Sequence, residues 1–143
     1  MRHLQRTLPA AALALLASGA ASAADCTAAT VKGVWGFSYD GFNLQANAYC
    51  AGLGLMTFTS PTRGNNTVKI TTQRESCDGD PVAAGGATGT YTVTTTCTGR
   101  STNLNYGSAG TARLDFNIVE AGSRLQFVLV VNGITLRGEA VKR

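Results

Sequence analysis

After residue 30 the chain alternates apolar and polar residues with a period of two, in short runs separated by glycine, proline, asparagine and aspartate. That period is the signature of half-buried β-strands, because successive side chains leave opposite faces of the backbone. The run around which the others arrange themselves is 89–99, Gly-Thr-Tyr-Thr-Val-Thr-Thr-Thr-Cys-Thr-Gly. It puts Tyr91, Val93 and Thr95 on one face and Thr92, Thr94 and Thr96 on the other, with glycine at both ends. Residues 31–39 predict a first strand with Val31, Trp35, Phe37 and Tyr39 on one face, ended by Asp40-Gly41. Residues 42–49 carry no alternation and predict a loop or short helical turn leading to Cys50.

Residues 52–59 predict a second strand whose pattern shifts. Leu53 and Leu55 share one face and Met56 and Phe58 the other, so either Gly52 or Gly54 marks a bulge or both faces are covered. Turn chemistry at 60–65 and a third strand at 67–73 follow, with Val68 and Ile70 inward and Lys69 outward. The Asp-Gly-Asp-Pro and alanine–glycine stretch at 78–87 predicts a flexible surface loop. Residues 101–106 predict a weaker strand with Thr102, Leu104 and Tyr106 on one side. Residues 111–119 alternate Leu114, Phe116 and Ile118 against Arg113, Asp115 and Asn117. Leu125, Phe127, Leu129 and Val131 form one face of the next strand. Asn132-Gly133 supplies a two-residue hairpin turn, because type I′ needs positive φ at both positions. The last strand, 134–141, has Ile134 and Leu136 inward and Arg137 and Glu139 outward. About eight antiparallel strands joined by hairpins, with no helix-period segment, predict an all-β, up-and-down β-barrel. Eight strands leave a bore just wide enough to be filled by side chains or to hold one small ligand.

The N-terminus changes the compartment. Arg2, His3 and Arg6 precede an apolar run, and Ala21-Ser22-Ala23 is a small-x-small cleavage site. Residues 1–23 therefore predict a signal peptide, leaving 24–143 as one exported barrel domain, periplasmic or extracellular. Cys26 follows Ala24-Asp25, an acidic context that does not suit a lipoprotein anchor, and no run is long enough to span a membrane. Removing Arg2 and Arg6 lowers the net charge from +4 to +2, too little to argue for nucleic acid.

All four cysteines, Cys26, Cys50, Cys77 and Cys97, follow the cleavage site, which predicts two disulfides. Cys50 and Cys77 lie equidistant from the turn near Arg63-Gly64 and should meet at the open end of that hairpin. This leaves Cys26 with Cys97, a connectivity favoured over the two alternatives.

The sole histidine, His3, leaves with the signal peptide. A Ser-His-Asp or Cys-His site and a His-ligated metal centre are thereby excluded, and no metal or cofactor is expected. Serine or threonine with a lysine base has only Lys32, Lys69 and Lys142 to draw on, the first two facing outward. Asp78 and Asp80 fit a surface turn better than a Ca²⁺ or acid–base site. Asp115 and Glu139 fit solvent contacts. Asp40, at a strand end near a barrel mouth, is the one acid kept in view. Trp35, Phe37, Tyr39, Tyr91, Phe116 and Phe127 point inward, as a packed core or as a ligand pocket with Tyr39 and Tyr91 orienting the guest. Thr92, Thr94 and Thr96 fit solvated sheet, with a glycan- or protein-binding ladder as the minority reading. Asn65-Asn66-Thr67 matches a glycosylation sequon.

Gly33-Val34-Trp35, on the first strand just after the N-terminal segment, resembles the Gly-x-Trp signature of lipocalins and other calycins. The resemblance implies a basic residue of the last strand packed over Trp35 at the closed end, with Arg137 as candidate and Arg143 second. The wider pattern runs from Cys26 through Gly33-x-Trp35-Gly36-Phe37, Gly89-Thr90-Tyr91-Thr92-Val93 and Cys97-Thr98-Gly99 to 138–143. It resembles a group of exported bacterial proteins of unknown function. It implies no activity but supports pairing Cys26 with Cys97. The chain departs from that group in carrying Cys50 and Cys77, and in having Phe58-Thr59-Ser60 where the group has Phe-Asp-Gly.

The first functional expectation is a non-enzymatic exported barrel holding a small apolar ligand in its bore. The alternative is a protein-binding module, such as a hydrolase inhibitor, acting through loops around 42–49 and 78–87. An isomerase- or cyclase-type enzyme without histidine is the third.

Overall fold

The computed structural model describes residues 25–44, 47–82, 85–106, 110–131 and 134–143. The expected signal peptide and the Asn132-Gly133 turn lie outside them. One helical turn, α1 (Ala28–Val31), precedes ten strands: β1 (Gly33–Asn43), β2 (Ala48–Thr59), β3 (Thr67–Cys77), β4 (Asp80–Val82), β5 (Ala87–Thr90), β6 (Thr92–Val93), β7 (Thr98–Asn105), β8 (Thr111–Val119), β9 (Arg124–Val131) and β10 (Ile134–Lys142). Eight of them close into an antiparallel meander barrel. Its order is β1-β2-β3-β5-β7-β8-β9-β10, and β10 returns to β1 from Trp35↔Lys142 to Asn43↔Ile134. Strand β4 pairs with the far end of β3, and β6 continues β5 along β7.

Parity holds around the ring. The side chains of Trp35, Met56, Phe58, Val68, Ile70, Leu114, Phe116, Leu125, Phe127 and Leu136 are buried inside. Lys69, Arg100, Arg113, Asn117, Gln126 and Glu139 are exposed on the outer wall. An apolar interior within a charged wall is the reverse of a lipid-facing barrel.

Five local expectations are corrected. Val31 ends α1 rather than starting β1. The strands reach further into 42–49 than expected: β1 passes through Gly41 and Phe42 to Asn43, and β2 begins at Ala48, with Leu44 and Asn47 in turn conformation. The loop expected at 78–87 begins as a two-residue hairpin turn, with Asp78 at φ 49° and Gly79 at φ 93°, leading into β4. The central strand is broken at Tyr91, and 94–97 form a turn, so Thr94, Thr96 and Thr98 share hydroxyl hydrogen bonds instead of lining a sheet face. Strand β7 shifts register between Ser101 and Leu104, which turns both inward and leaves Thr102 exposed.

Three inward glycines sit beneath aromatic rings of the neighbouring strand: Gly52 beneath Tyr39, Gly99 beneath Phe116 and Gly138 beneath Phe127. A methyl group on Gly138 would collide with the carbonyl oxygen of Ser38 and the Phe127 ring. Gly138→Ala is therefore expected to cost about 1–3 kcal/mol or more, as overpacking does. Urea unfolding of that variant beside an outward control such as Thr135→Ala checks this, and equal midpoints would contradict it.

Candidate functional site

The two ends of the barrel are built differently. At one end α1 lies across the opening. The Trp35 indole, fully buried, donates from Nε1 to the Val31 carbonyl at 2.8 Å. The Tyr91 hydroxyl donates to the Ala28 carbonyl at 3.1 Å, and burial pushes that phenol up to about 12, so it remains a neutral donor. A disulfide joins Cys26 to Cys97, and Cys97 sits at φ 62° in the turn after β6.

Lys142 closes this end. Its ammonium stands 5.4 Å from the centroid of the Trp35 ring and donates to the Thr30 carbonyl at 3.1 Å. The residue over the tryptophan is thus Lys142 and not Arg137. Register and parity explain the correction: Lys142 is the direct partner of Trp35 and shares its inward parity, whereas Arg137 pairs with Asp40 in the register and points outward. There Arg137 lies 3.7 Å from the Asp40 carboxylate. Arg143 lies across Gly36 on the outer wall.

Between the ends the bore is filled. Trp35, Phe58, Tyr91 and Phe116 interlock edge to face at 5.1–6.3 Å along Phe58, the ring through which the other three meet. Phe37 stacks on Tyr39 at 6.0 Å and meets Phe127 edge-on at 6.1 Å. All six aromatic residues expected inside are buried. The gap left in this half of the barrel is about 10 Å³ and is bounded by Tyr39, Met56, Ile70, Tyr106 and Phe127. That is the space of about one water molecule. The buried Tyr106 hydroxyl beside it has no partner among the described residues. Its phenol is shifted upward by burial and then by the nearby Glu75 carboxylate, so it stays neutral.

The other end carries loops and a braced rim. Cys50 and Cys77 are cross-strand partners joined by the second disulfide. Just outside them, the Tyr49 amide donates to the Asp78 carboxylate at 3.0 Å, and the Asp78 amide donates to the Tyr49 carbonyl at 2.9 Å. The Tyr49 hydroxyl donates to Asp40, and that bond raises its phenol above the ordinary value. On this frame Phe42, Leu44 and Tyr49 are 44%, 69% and 51% exposed. The adjoining turn presents Asp78 and Asp80 to solvent. The apolar residues Phe42, Leu44 and Tyr49 are the sequence signal for this rim, but their stretch has no alternation and predicts a loop.

The outer wall bears a broad open depression of about 1100 Å³ across β6–β10, reaching Asp40. Its charges answer one another: Arg100 and Arg113 hold Asp115 at 2.5 and 2.8 Å, Arg137 faces Asp40, and Arg124 lies 3.9 Å from Glu139. Such paired surface charges make no acid–base arrangement.

Among the described residues the one cluster of metal-type ligands is Cys50, Glu75 and Cys77, and both sulfurs are committed to a disulfide. No helix of the described residues is long and apolar enough to cross a membrane. The chain matches no protein-family model and no curated protein.

Proposed function

We propose that this is an exported, non-catalytic barrel that recognises another protein through the rim bearing Phe42, Leu44 and Tyr49 and the Asp78-Gly79 turn. Export is supported by the leader-like residues 1–23 and by two disulfides, which persist in oxidising compartments. The observation that carries the recognition reading is the pairing of exposed apolar side chains with a rigid frame. Tyr49 stands in solvent on β2, which Cys50–Cys77 cross-links to β3, and is tied to both Asp78 and Asp40; exposed Phe42 is its cross-strand partner on β1, and exposed Leu44 follows in the turn after β1. Anchors held in place before binding lose little entropy on binding. With Asp78 and Asp80 alongside, the complementary surface is an apolar cleft with basic groups at its edge, on a folded protein of the same compartment.

The test is capture from the exported fraction of the host on immobilised protein, run beside Leu44→Asp and Asp80→Lys. One species retained in stoichiometric amount, lost with Leu44→Asp and weakened with Asp80→Lys, is the expected result. Retention unchanged by both substitutions overturns the reading.

A second reading, a small apolar guest in the bore, draws on the unpartnered Tyr106 hydroxyl beside the interior gap. Because that gap holds about one water, a guest must displace the Tyr106 ring and would then be seen by native mass spectrometry as added mass on the purified protein.

A further inference from the structure

We propose that the Arg63–Gly64 bond is a cleavage site for an endoprotease of basic specificity, and that the cut protein persists as two chains joined by both disulfides. Ten lysines and arginines follow residue 24. Seven of them lie within β3, β7, β8, β9 and β10, which are strands of the ring. A protease takes its substrate as an extended segment and pairs with its backbone edge. A strand already flanked by neighbours offers no such edge. Lys32 caps α1, its amide donating to the Ala29 carbonyl at 3.2 Å. The Arg143 amide is held by the Val34 carbonyl at 2.9 Å. Arg63 is the basic residue that remains, on an exposed connection.

The connection between Thr59 and Thr67 leaves the barrel at the closed end, since Phe58 pairs with Gly33 just after α1. Its base is fixed. The Thr59 and Thr67 hydroxyls are hydrogen-bonded at 2.5 Å, and the Asn66 carbonyl accepts from the Tyr91 amide at 3.1 Å. Its tip is free. Residues 61–65 are exposed, and Arg63 makes no ion pair or hydrogen bond among the described residues. Gly64 stands at φ 99° in open space, where an added methyl group would reach only the Pro61 ring, at 4.0 Å. The tip can therefore be drawn out into an extended form without moving a strand, as exposed loop tips are at sites of nicking. The unpaired guanidinium then suits a specificity pocket that carries a carboxylate, as in trypsin-type enzymes.

Hydrolysis adds one water across this bond. The Arg63 carbonyl carbon takes the hydroxyl and becomes a carboxylate, and the Gly64 nitrogen becomes an amine. No piece is released. Cys26 and Cys50 precede the cut and Cys77 and Cys97 follow it, so each disulfide joins one piece to the other. In the intact chain these bonds are supports; after the cut they are the covalent links between the two pieces. The rim with Tyr49 and Asp78 lies at the opposite end, and the cut leaves its frame in place.

Limited digestion of the folded, oxidised protein with trypsin, followed by intact-mass measurement, tests the proposal. The first product should gain the mass of one water and remain a single species without reductant. Under a thiol reductant and denaturant it should separate into a fragment ending at Arg63 and one beginning at Gly64. Arg63→Gln alters only the exposed tip and should slow the first cut roughly 100-fold or more, because the pocket loses the charged group it is built to pair. Arg74→Gln, within β3, should leave the rate unchanged. A first cut at any other residue, a rate unchanged by Arg63→Gln, release of a fragment without reductant, or a folded protein that trypsin does not cut would each overturn the proposal.

Discussion

Trp35→Ala is expected to lower the unfolding free energy by about 3–5 kcal/mol, the range for truncating a large buried aromatic. Three contributions coincide at this side chain. The ring is fully buried against Phe58 in the densest part of the bore. Its Nε1 is the donor to the Val31 carbonyl, which anchors α1 over the barrel end. Its face receives the Lys142 ammonium, so the last strand loses a contact as well. Trp35 is the only tryptophan, so unfolding of the variant is followed by circular dichroism in urea. A loss below about 1 kcal/mol would mean that the cap and the bore hold without the indole, contrary to the geometry above. Trp35→Phe separates the terms, because it keeps most of the apolar volume and removes only the Nε1 donor. Its expected cost is about 1–2 kcal/mol, the range for one lost hydrogen bond.

Removing the Cys26–Cys97 disulfide by double alanine substitution is expected to cost about 4 kcal/mol. The bond closes a loop 71 residues apart in sequence, and the entropy it removes from the unfolded chain grows with loop length. Cys50–Cys77 spans 27 residues, and its two cysteines are in any case neighbours on a paired hairpin. Its removal should cost less, about 3 kcal/mol or below. The two losses also differ in place. Without Cys26–Cys97, the segment over Trp35 is held by hydrogen bonds alone, those from Trp35, Tyr91 and Lys142 and the one from the Cys26 amide to Thr95, so acrylamide quenching of Trp35 fluorescence should rise. Without Cys50–Cys77, quenching should stay as it was. The reverse order of stabilities, or increased quenching only in the second variant, would contradict this account.

The barrel was legible because burial and period agree along most of the chain. Leu114-Asp115-Phe116-Asn117-Ile118 admits one orientation, and the same holds for 125–131, so neighbouring strands follow in register. The Cys50–Cys77 pairing was legible because a hairpin relates residues symmetrically about its turn. Sequence alternation failed where polar or small residues hide the period. Gly41-Phe42-Asn43 looks like the end of a strand, yet it continues β1 because β2 and β10 pair with it on both sides. The Thr-rich run 92–98 looks like a continuous strand, yet it turns at Thr94–Cys97, where the disulfide to Cys26 holds Cys97 in a left-handed conformation. The identity of the base over Trp35 depended on whole-barrel register, which no local pattern contains. Parity alone had already put Arg137 on the wrong side of the sheet for that role. The bore aromatics were legible as inward residues. That they pack against one another across the bore follows from Phe58 and from the three glycines beneath neighbouring rings, an arrangement between strands that a single strand cannot reveal.

The seam between β1 and β10 joins the earliest strand to the latest one. Until residue 142 has arrived, neither flank of the sheet has its neighbour, and two rows of backbone donors and acceptors stay open. Contacts so distant along the chain slow folding, since the intervening polypeptide must be gathered before any of them is made. The barrel therefore needs the nine residues of β10 more than their modest share of the interior suggests.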